Sequence, residues 1–155
     1  MKKYLLNLIL VFILPVFVLA QSIVEKDGLY YADGKLFTGI YKEFHDNGII
    51  KTELSIVNGL KDGMSFIYFE NGQKKEQWSY KAGKKDGTWL TWDVNGTLTA
   101  EANFRDGQKH GHWYVWDSNG NKRYDIYYEE GQKRGDWFMW DENGNLAMHK
   151  NYEEE

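Results

Sequence analysis

The chain has 155 residues, a formal net charge of −4 and no cysteine. One domain is expected. Disulfides, thiolate chemistry, thiolate zinc sites and a lipid-modified cysteine are excluded, and the clearly basic footprint of a nucleic-acid binder is absent. Aromatic residues make up 17% of the chain, and its one proline, Pro15, lies near the start, so nothing further on interrupts a strand ladder.

Residues 1–20 differ from the rest. Lys2 and Lys3 precede an apolar run from Tyr4 to Leu19, then Ala20-Gln21-Ser22, with no acidic residue before Glu25. A positive start, an apolar middle and small residues at a polar junction describe a secretory signal cleaved after Ala20. The alternative is a retained anchor, since the run is nearly long enough to span a bilayer. The expected location is therefore the periplasm, the cell envelope or the exterior. Residues 21–38 hold two short apolar runs around Asp33-Gly34, which predicts a degenerate hairpin capping the remainder of the chain.

Residues 39–155 repeat every 24 residues in five units. One glycine recurs as Gly59, Gly83, Gly107 and Gly131, a second as Gly39, Gly63, Gly87, Gly111 and Gly135. Asn-Gly recurs from Asn47-Gly48 to Asn143-Gly144, preceded by an aromatic at Phe44, Tyr68, Trp92, Trp116 and Trp140. A fixed period in this range marks a repeat array. Asn-Gly tolerates the positive φ of a hairpin turn, and Asp93, Asp117 and Asp141 can hydrogen-bond the turn backbone. Each unit is thus a hairpin, and the array an all-β, elongated single antiparallel sheet.

Side-chain alternation sets the expected register. Leu90, Trp92, Leu98, Ala100, Ala102 and Phe104 are all even-numbered, whereas Thr97, Thr99, Glu101 and Asn103 between them are polar. This favours three-residue Asn-Gly loops with glycine in a bulge, so that even faces even. A two-residue loop would shift the register by one and set Trp89 against Ala102 and Ser65 against Trp78, a large–small swap. In both registers Trp89, Trp113 and Trp137 lie on the opposite face from Trp92, Trp116 and Trp140.

A single sheet cannot bury both faces. With strands about 4.8 Å apart, each unit advances about 10 Å and aromatic ladders run along the array. The rungs read either as the core of a thin protein or as a binding surface, and for Trp89, Trp113 and Trp137 the sequence leaves both open. A loop lysine also recurs, as Lys61, Lys85, Lys109 and Lys133. Stacked units would align these into a basic edge able to meet anionic lipid, glycan or an acidic protein, or they are ordinary solubilising charge.

The stretch Gly83-Lys84-Lys85-Asp86-Gly87-Thr88-Trp89-Leu90-Thr91-Trp92-Asp93-Val94-Asn95-Gly96, followed by an apolar strand, resembles the bacterial variant of the MORN repeat. The resemblance extends from Gly39 to about Tyr152. It implies a scaffold or binding surface, and members of that group are often labelled antitoxins or immunity proteins. An export signal would restrict such a role to a toxin met outside the cytoplasm.

No nucleophile motif, phosphate loop or metal-ligand spacing accompanies His45, His110, His112 or His149, and no cofactor or metal is expected. The reading is an exported, non-enzymatic interaction module whose candidate surface comprises the six tryptophans and four lysines just named. Its partner is expected to be another protein. The alternative is a cell-wall or glycan binder that stacks sugars on tryptophan.

Overall fold

The computed structural model describes residues 22–153. They form strands and turns with no helix, as the repeat predicts. The chain begins with β1 (Ile23–Lys26), β2 (Leu29–Ala32) and β3 (Lys35–Leu36), a small antiparallel meander. Then come β4 (Gly39–Phe44), β5 (Ile50–Val57), β6 (Leu60–Tyr68), β7 (Lys74–Lys81), β8 (Lys84–Lys85) and β9 (Gly87–Trp92). The remainder is β10 (Leu98–Arg105), β11 (Gln108–Trp116), β12 (Lys122–Glu129), β13 (Gln132–Lys133), β14 (Gly135–Trp140) and β15 (Leu146–Tyr152). From β4 onward the strands make one 12-stranded antiparallel sheet in chain order, with β8 continuing beside β7 and β13 beside β12.

Two kinds of turn alternate along its margins. Within each unit the Asn-Gly turn is a three-residue loop: in the central unit Asp93 N–H donates to Thr97 O at 2.9 Å and Gly96 N–H to Asp93 O at 3.0 Å. Asp93 Oδ1 accepts from the N–H groups of Asn95 and Thr97, both at 2.9 Å, so the carboxylate organises the turn from inside. Between units the turns are two-residue hairpins with both φ angles positive, as at Asp106 (49°) and Gly107 (87°). Their backbone twist matches that of the flanking strands.

These two-residue turns also tie each unit to the previous one. Gly83 N–H donates to Lys61 O, Gly107 to Lys85 O and Gly131 to Lys109 O, each at 2.8 Å. Asp62 and Asp86 carboxylates accept from Ala82 N–H at 2.9 Å and Asp106 N–H at 3.1 Å.

The register departs from the expectation that even faces even. That pairing holds only at the rung beside the turn, where Trp92 faces Leu98. Thr99 is then unpaired, Thr91 faces Ala100, and Trp89 faces Ala102. The same shift occurs in every unit, at residues 51, 75, 99, 123 and 147. One extra residue on the second strand turns the rest of that strand over. The large–small pairs Trp89–Ala102 and Ser65–Trp78 are therefore the ones formed, although the loop itself holds three residues.

The closed core lies at the amino-terminal end, where the small meander covers the first unit. Tyr30 packs on Tyr41 with ring centroids 5.3 Å apart and joins Leu54 and Ile56; Tyr30, Leu54 and Ile56 are all buried. Tyr30 N–H donates to Gly59 O at 2.9 Å, and Gly59 N–H to Phe37 O at 2.7 Å. Phe37 thus accepts from Gly59 as Lys61 accepts from Gly83, and Thr38 Oγ1 accepts from Asn58 N–H as Asp62 does from Ala82.

Substitutions at a turn glycine and at Tyr30 test this packing. At Gly59 (φ 78°) an added Cβ would lie 2.7 Å from Leu36 Cδ2 and 3.2 Å from Tyr30 O, whereas at Gly96 (φ 87°) it meets nothing within 4 Å. Gly96→Ala should cost about 1 kcal/mol from the left-handed backbone alone. Gly59→Ala should cost at least about 1 kcal/mol more through overpacking, as read by urea denaturation. Burial, reinforced by the nearby Glu25 carboxylate, pushes the Tyr30 phenol from 10.0 up to about 12. Because the folded value is the higher one, this contribution is whole below pH 10 and is lost as pH rises through 10 towards 12. The loss is about 2–3 kcal/mol. Tyr30→Phe keeps the ring and should flatten that part of the pH profile in thermal melts.

Candidate functional site

The two faces of the sheet use their tryptophans differently. On one face the rings run in unbroken contact: Trp78–Trp89 (5.8 Å), Trp89–Phe104 (5.9 Å), Phe104–Trp113 (5.2 Å), Trp113–Tyr128 (5.2 Å), Tyr128–Trp137 (5.4 Å) and Trp137–Tyr152 (5.0 Å). The second recurring glycine is paired across the strands with a ring of this ladder. Gly63 faces Tyr80, Gly87 faces Phe104, Gly111 faces Tyr128 and Gly135 faces Tyr152, while a Cβ at Gly63 or Gly87 would press on the Ser55 or Ser79 side chain (3.1 and 3.2 Å) and one at Gly111 would touch Asn103 (3.5 Å).

The recurring lysines close the same face. Lys85 Nζ lies 3.8 Å from the Trp89 ring centroid and 4.8 Å from that of Phe104. Lys109 lies 4.3 Å from Trp113 and 4.7 Å from Tyr128, and Lys133 4.4 Å from Trp137 and 5.2 Å from Tyr152. In the unit where Ser65 replaces tryptophan, Lys61 lies 5.5 Å from Tyr80. An ammonium held over indole is attracted by the ring quadrupole, and its stem covers apolar surface. Burial lowers the Lys85 pKa, opposed by the Glu76 carboxylate. The lysines thus sit on the ring faces instead of forming a basic edge of their own.

Indole edges are anchored here too. Trp113 Nε1–H donates to Asn103 O at 2.9 Å and Trp137 Nε1–H to Tyr127 O at 3.0 Å. Trp89 Nε1 is buried without a protein acceptor. Trp89, Trp113 and Trp137 are therefore brought together with all four lysines.

On the opposite face, two rows run along the array. The first follows the strand ends by the Asn-Gly turns: Tyr68, Trp92, Trp116 and Trp140, paired with Lys74, Leu98, Lys122 and Leu146. Among the described residues no lysine or arginine lies over the Trp92, Trp116 or Trp140 ring, and none of these indole N–H groups has an acceptor. The second row, through the strand centres, opens with Lys42 facing and bridging Glu53 at 3.0 Å and alternates from there on. Glu53 faces Phe66, which faces Gln77, then Leu90, Glu101, Tyr114, Asp125 and Phe138, ending at His149. Tyr114 and Trp116 lie 5.6 Å apart and Phe138 and Trp140 5.8 Å apart, so the two rows join into aromatic rungs across alternate strands.

Sequence reasoning missed a polar feature of this array. His112 Nδ1 is 2.9 Å from Asp125 Oδ1, and His149 Nε2 is 2.7 Å from Asp136 Oδ1. Hydrogen bonds from His149 and Asn151 hold the Asp136 carboxyl below its usual range. The signal was available. His112 and Asp136 occupy equivalent positions, as do Asp125 and His149, so the pair reverses from one unit to the next.

The chain belongs to the MORN repeat variant family, which matches at residues 37–58, 61–82, 109–130 and 133–154, together more than half of its length. Repeats of this kind are generally binding modules. Residues 83–108 are unmatched, yet β9 and β10 keep the shared turn, register shift and capped tryptophan. No curated protein matches the chain. Among solved structures, a chain of the GtfA/B complex bound to UDP and GlcNAc is similar with a TM-score of 0.29 and 10% identity. That alignment covers 89% of this chain and 24% of the other, a likeness too slight to bear on function.

The lysine caps can be tested directly. Lys109→Met retains the apolar stem and removes the charge over Trp113 and Tyr128. It should destabilise the array by about 0.5–1 kcal/mol, measured by thermal denaturation, with no change in circular dichroism at low temperature.

Proposed function

We propose that the protein is an exported, non-enzymatic binding module, and that its recognition surface is the face bearing Trp92, Trp116 and Trp140, called the open face because no cation among the described residues covers those three rings. The observation carrying this reading is a difference between the two tryptophan rows, both half-buried: on this face Lys74 and Lys122 lie over Phe66 (4.8 Å) and Tyr114 (4.3 Å), and the indoles are left uncapped. Lysines Lys85, Lys109 and Lys133 occupy the ring faces of one ladder, whereas the Trp92, Trp116 and Trp140 rings have no such cap. Tryptophan with an unpaired N–H combines a large apolar area with a polar handle, the combination enriched at interfaces. The array presents it at regular spacing on a rigid sheet.

Export rests on the positive, apolar and small-residue pattern of residues 1–20, which lie outside the described residues. No feature of the open face singles out a toxin as partner.

Two substitutions separate the roles of the faces. Trp113→Ala removes a ladder rung that bridges Phe104 and Tyr128, and should destabilise the fold by about 2–3 kcal/mol. Trp116→Ala should leave the melting temperature within a few degrees of the parent and abolish retention of whatever the tagged protein recovers from its own cell envelope. If Trp113→Ala loses retention at a temperature where it is fully folded while Trp116→Ala keeps it, the surface lies on the other face.

A further inference from the structure

We propose that the open face takes up an arginine side chain of a protein partner at the third unit, on the Glu101 carboxylate and the apolar bed of Leu90, Trp92 and Leu98. This rests on the reading of that face as the recognition surface and adds the chemistry of what it recognises.

Equivalent positions of the repeat carry the inference. Three carboxylates stand in the central row, at Glu53, Glu101 and Asp125. The chain itself supplies partners for two of them. Lys42 faces Glu53 and bridges it at 3.0 Å, while Lys122 Nζ lies 3.4 Å and His112 Nδ1 2.9 Å from the Asp125 carboxylate. Glu101 is half-buried and has no hydrogen-bond or ion-pair partner among the described residues. The 24-residue period gives the reason. The third-unit equivalents of Lys42, Lys122 and His112 are Leu90, Leu98 and Thr88, and Thr88 Oγ1 donates to Asn103 Oδ1 at 2.9 Å. Each place from which a partner reaches Glu53 or Asp125 holds an uncharged residue here.

The cover of the row breaks at the same unit. Lys74 lies over Phe66 at 4.8 Å, Lys122 over Tyr114 at 4.3 Å, and His149 stacks on Phe138 with centroids 4.6 Å apart. In the third unit Leu98 stands in the lysine's place opposite Trp92, and Leu90 faces Glu101. Tyr114, on the other side of Glu101, is the ring already under Lys122. What remains is an apolar bed with an uncovered indole and an unmatched carboxylate beside it. A guanidinium suits this combination better than an ammonium. It is planar and weakly hydrated, stacks on indole, and donates paired N–H groups to a carboxylate.

The test is a titration of the full exported chain with N-acetyl-arginine amide, followed by two-dimensional NMR of the leucine methyl and indole N–H groups. Shifts should concentrate at Leu90, Leu98 and Trp92 and saturate in the millimolar range. The uncharged analogue N-acetyl-citrulline amide should cause none. Glu101→Gln should weaken binding at least about fivefold. Glu129→Gln, which removes the same charge at an exposed position by a turn, should leave it unchanged. Leu98→Lys restores the lysine that the neighbouring units carry as Lys74 and Lys122, so it should keep the fold and abolish binding. Glu101→Gln keeps the test open should Leu98→Lys prove poorly folded.

The absence of a saturable shift at tens of millimolar overturns the proposal, as does equal binding of the citrulline compound or binding indifferent to Glu101→Gln. Cellohexaose shifting the same resonances while the arginine compound does not identifies a glycan and overturns it too. Envelope capture lost in Trp116→Ala but unchanged in Glu101→Gln and Leu98→Lys overturns the arginine and leaves the open face as the recognition surface. Capture indifferent to all three overturns both.

Discussion

Everything in this fold stems from the difficulty of covering a single sheet. A meander of hairpins has no second layer, so its apolar face must be closed by its own side chains. The recurring answer is local: a lysine, a glycine two residues on and a tryptophan two residues after that, as in Lys109, Gly111 and Trp113. Glycine supplies a positive φ (83° at Gly111), tryptophan fills the flank, and lysine folds its stem and charge over both rings. Fully buried side chains are consequently few and cluster at the amino-terminal cap. The rest of the array relies on half-buried rings in mutual contact and on backbone ladders, with each unit supported by its neighbours.

The repeat made the architecture legible. Glycine and Asn-Gly at a constant spacing specify hairpins, and the three-residue loop expected from side-chain alternation forms in every unit, with His45 or Phe69 as well as with aspartate before the Asn-Gly turn. The faces are harder to assign, because alternation predicts them only if the second strand runs without a break, and it does not. The extra residue is Lys51, Lys75, Thr99, Arg123 or Ala147, positions with no common side chain and no obligatory backbone conformation. A bulge that leaves no compositional mark cannot be read from parity, although the large–small complementarity of Trp89 with Ala102 and Ser65 with Trp78 pointed to the correct pairing.

The site was legible in part for the same reason. Both tryptophan series and the lysine series were evident as recurrences, and their placement on opposite faces came from the three-residue spacing along a strand. That the lysines and Trp89, Trp113 and Trp137 belong to one structural device depends on a second break in pairing, around Gly63 and Gly111, where Ala102 faces Trp113 but Phe104 faces Lys109, and on side-chain direction, which spacing alone does not give. The reversal of His112–Asp125 into Asp136–His149 is the converse case. It was written in the repeat and becomes meaningful once the cross-strand geometry brings the partners together.

The division of labour between the faces is most directly tested by indole N–H exchange, monitored by two-dimensional NMR on the nitrogen-labelled protein in deuterated water. Trp113 and Trp137, which donate to the backbone carbonyls of Asn103 and Tyr127, should be protected from exchange. The N–H groups of Trp92, Trp116 and Trp140 should exchange within the dead time. Comparable protection of Trp116 and Trp113, or the reverse order, would contradict the assignment of one face to structure and the other to recognition.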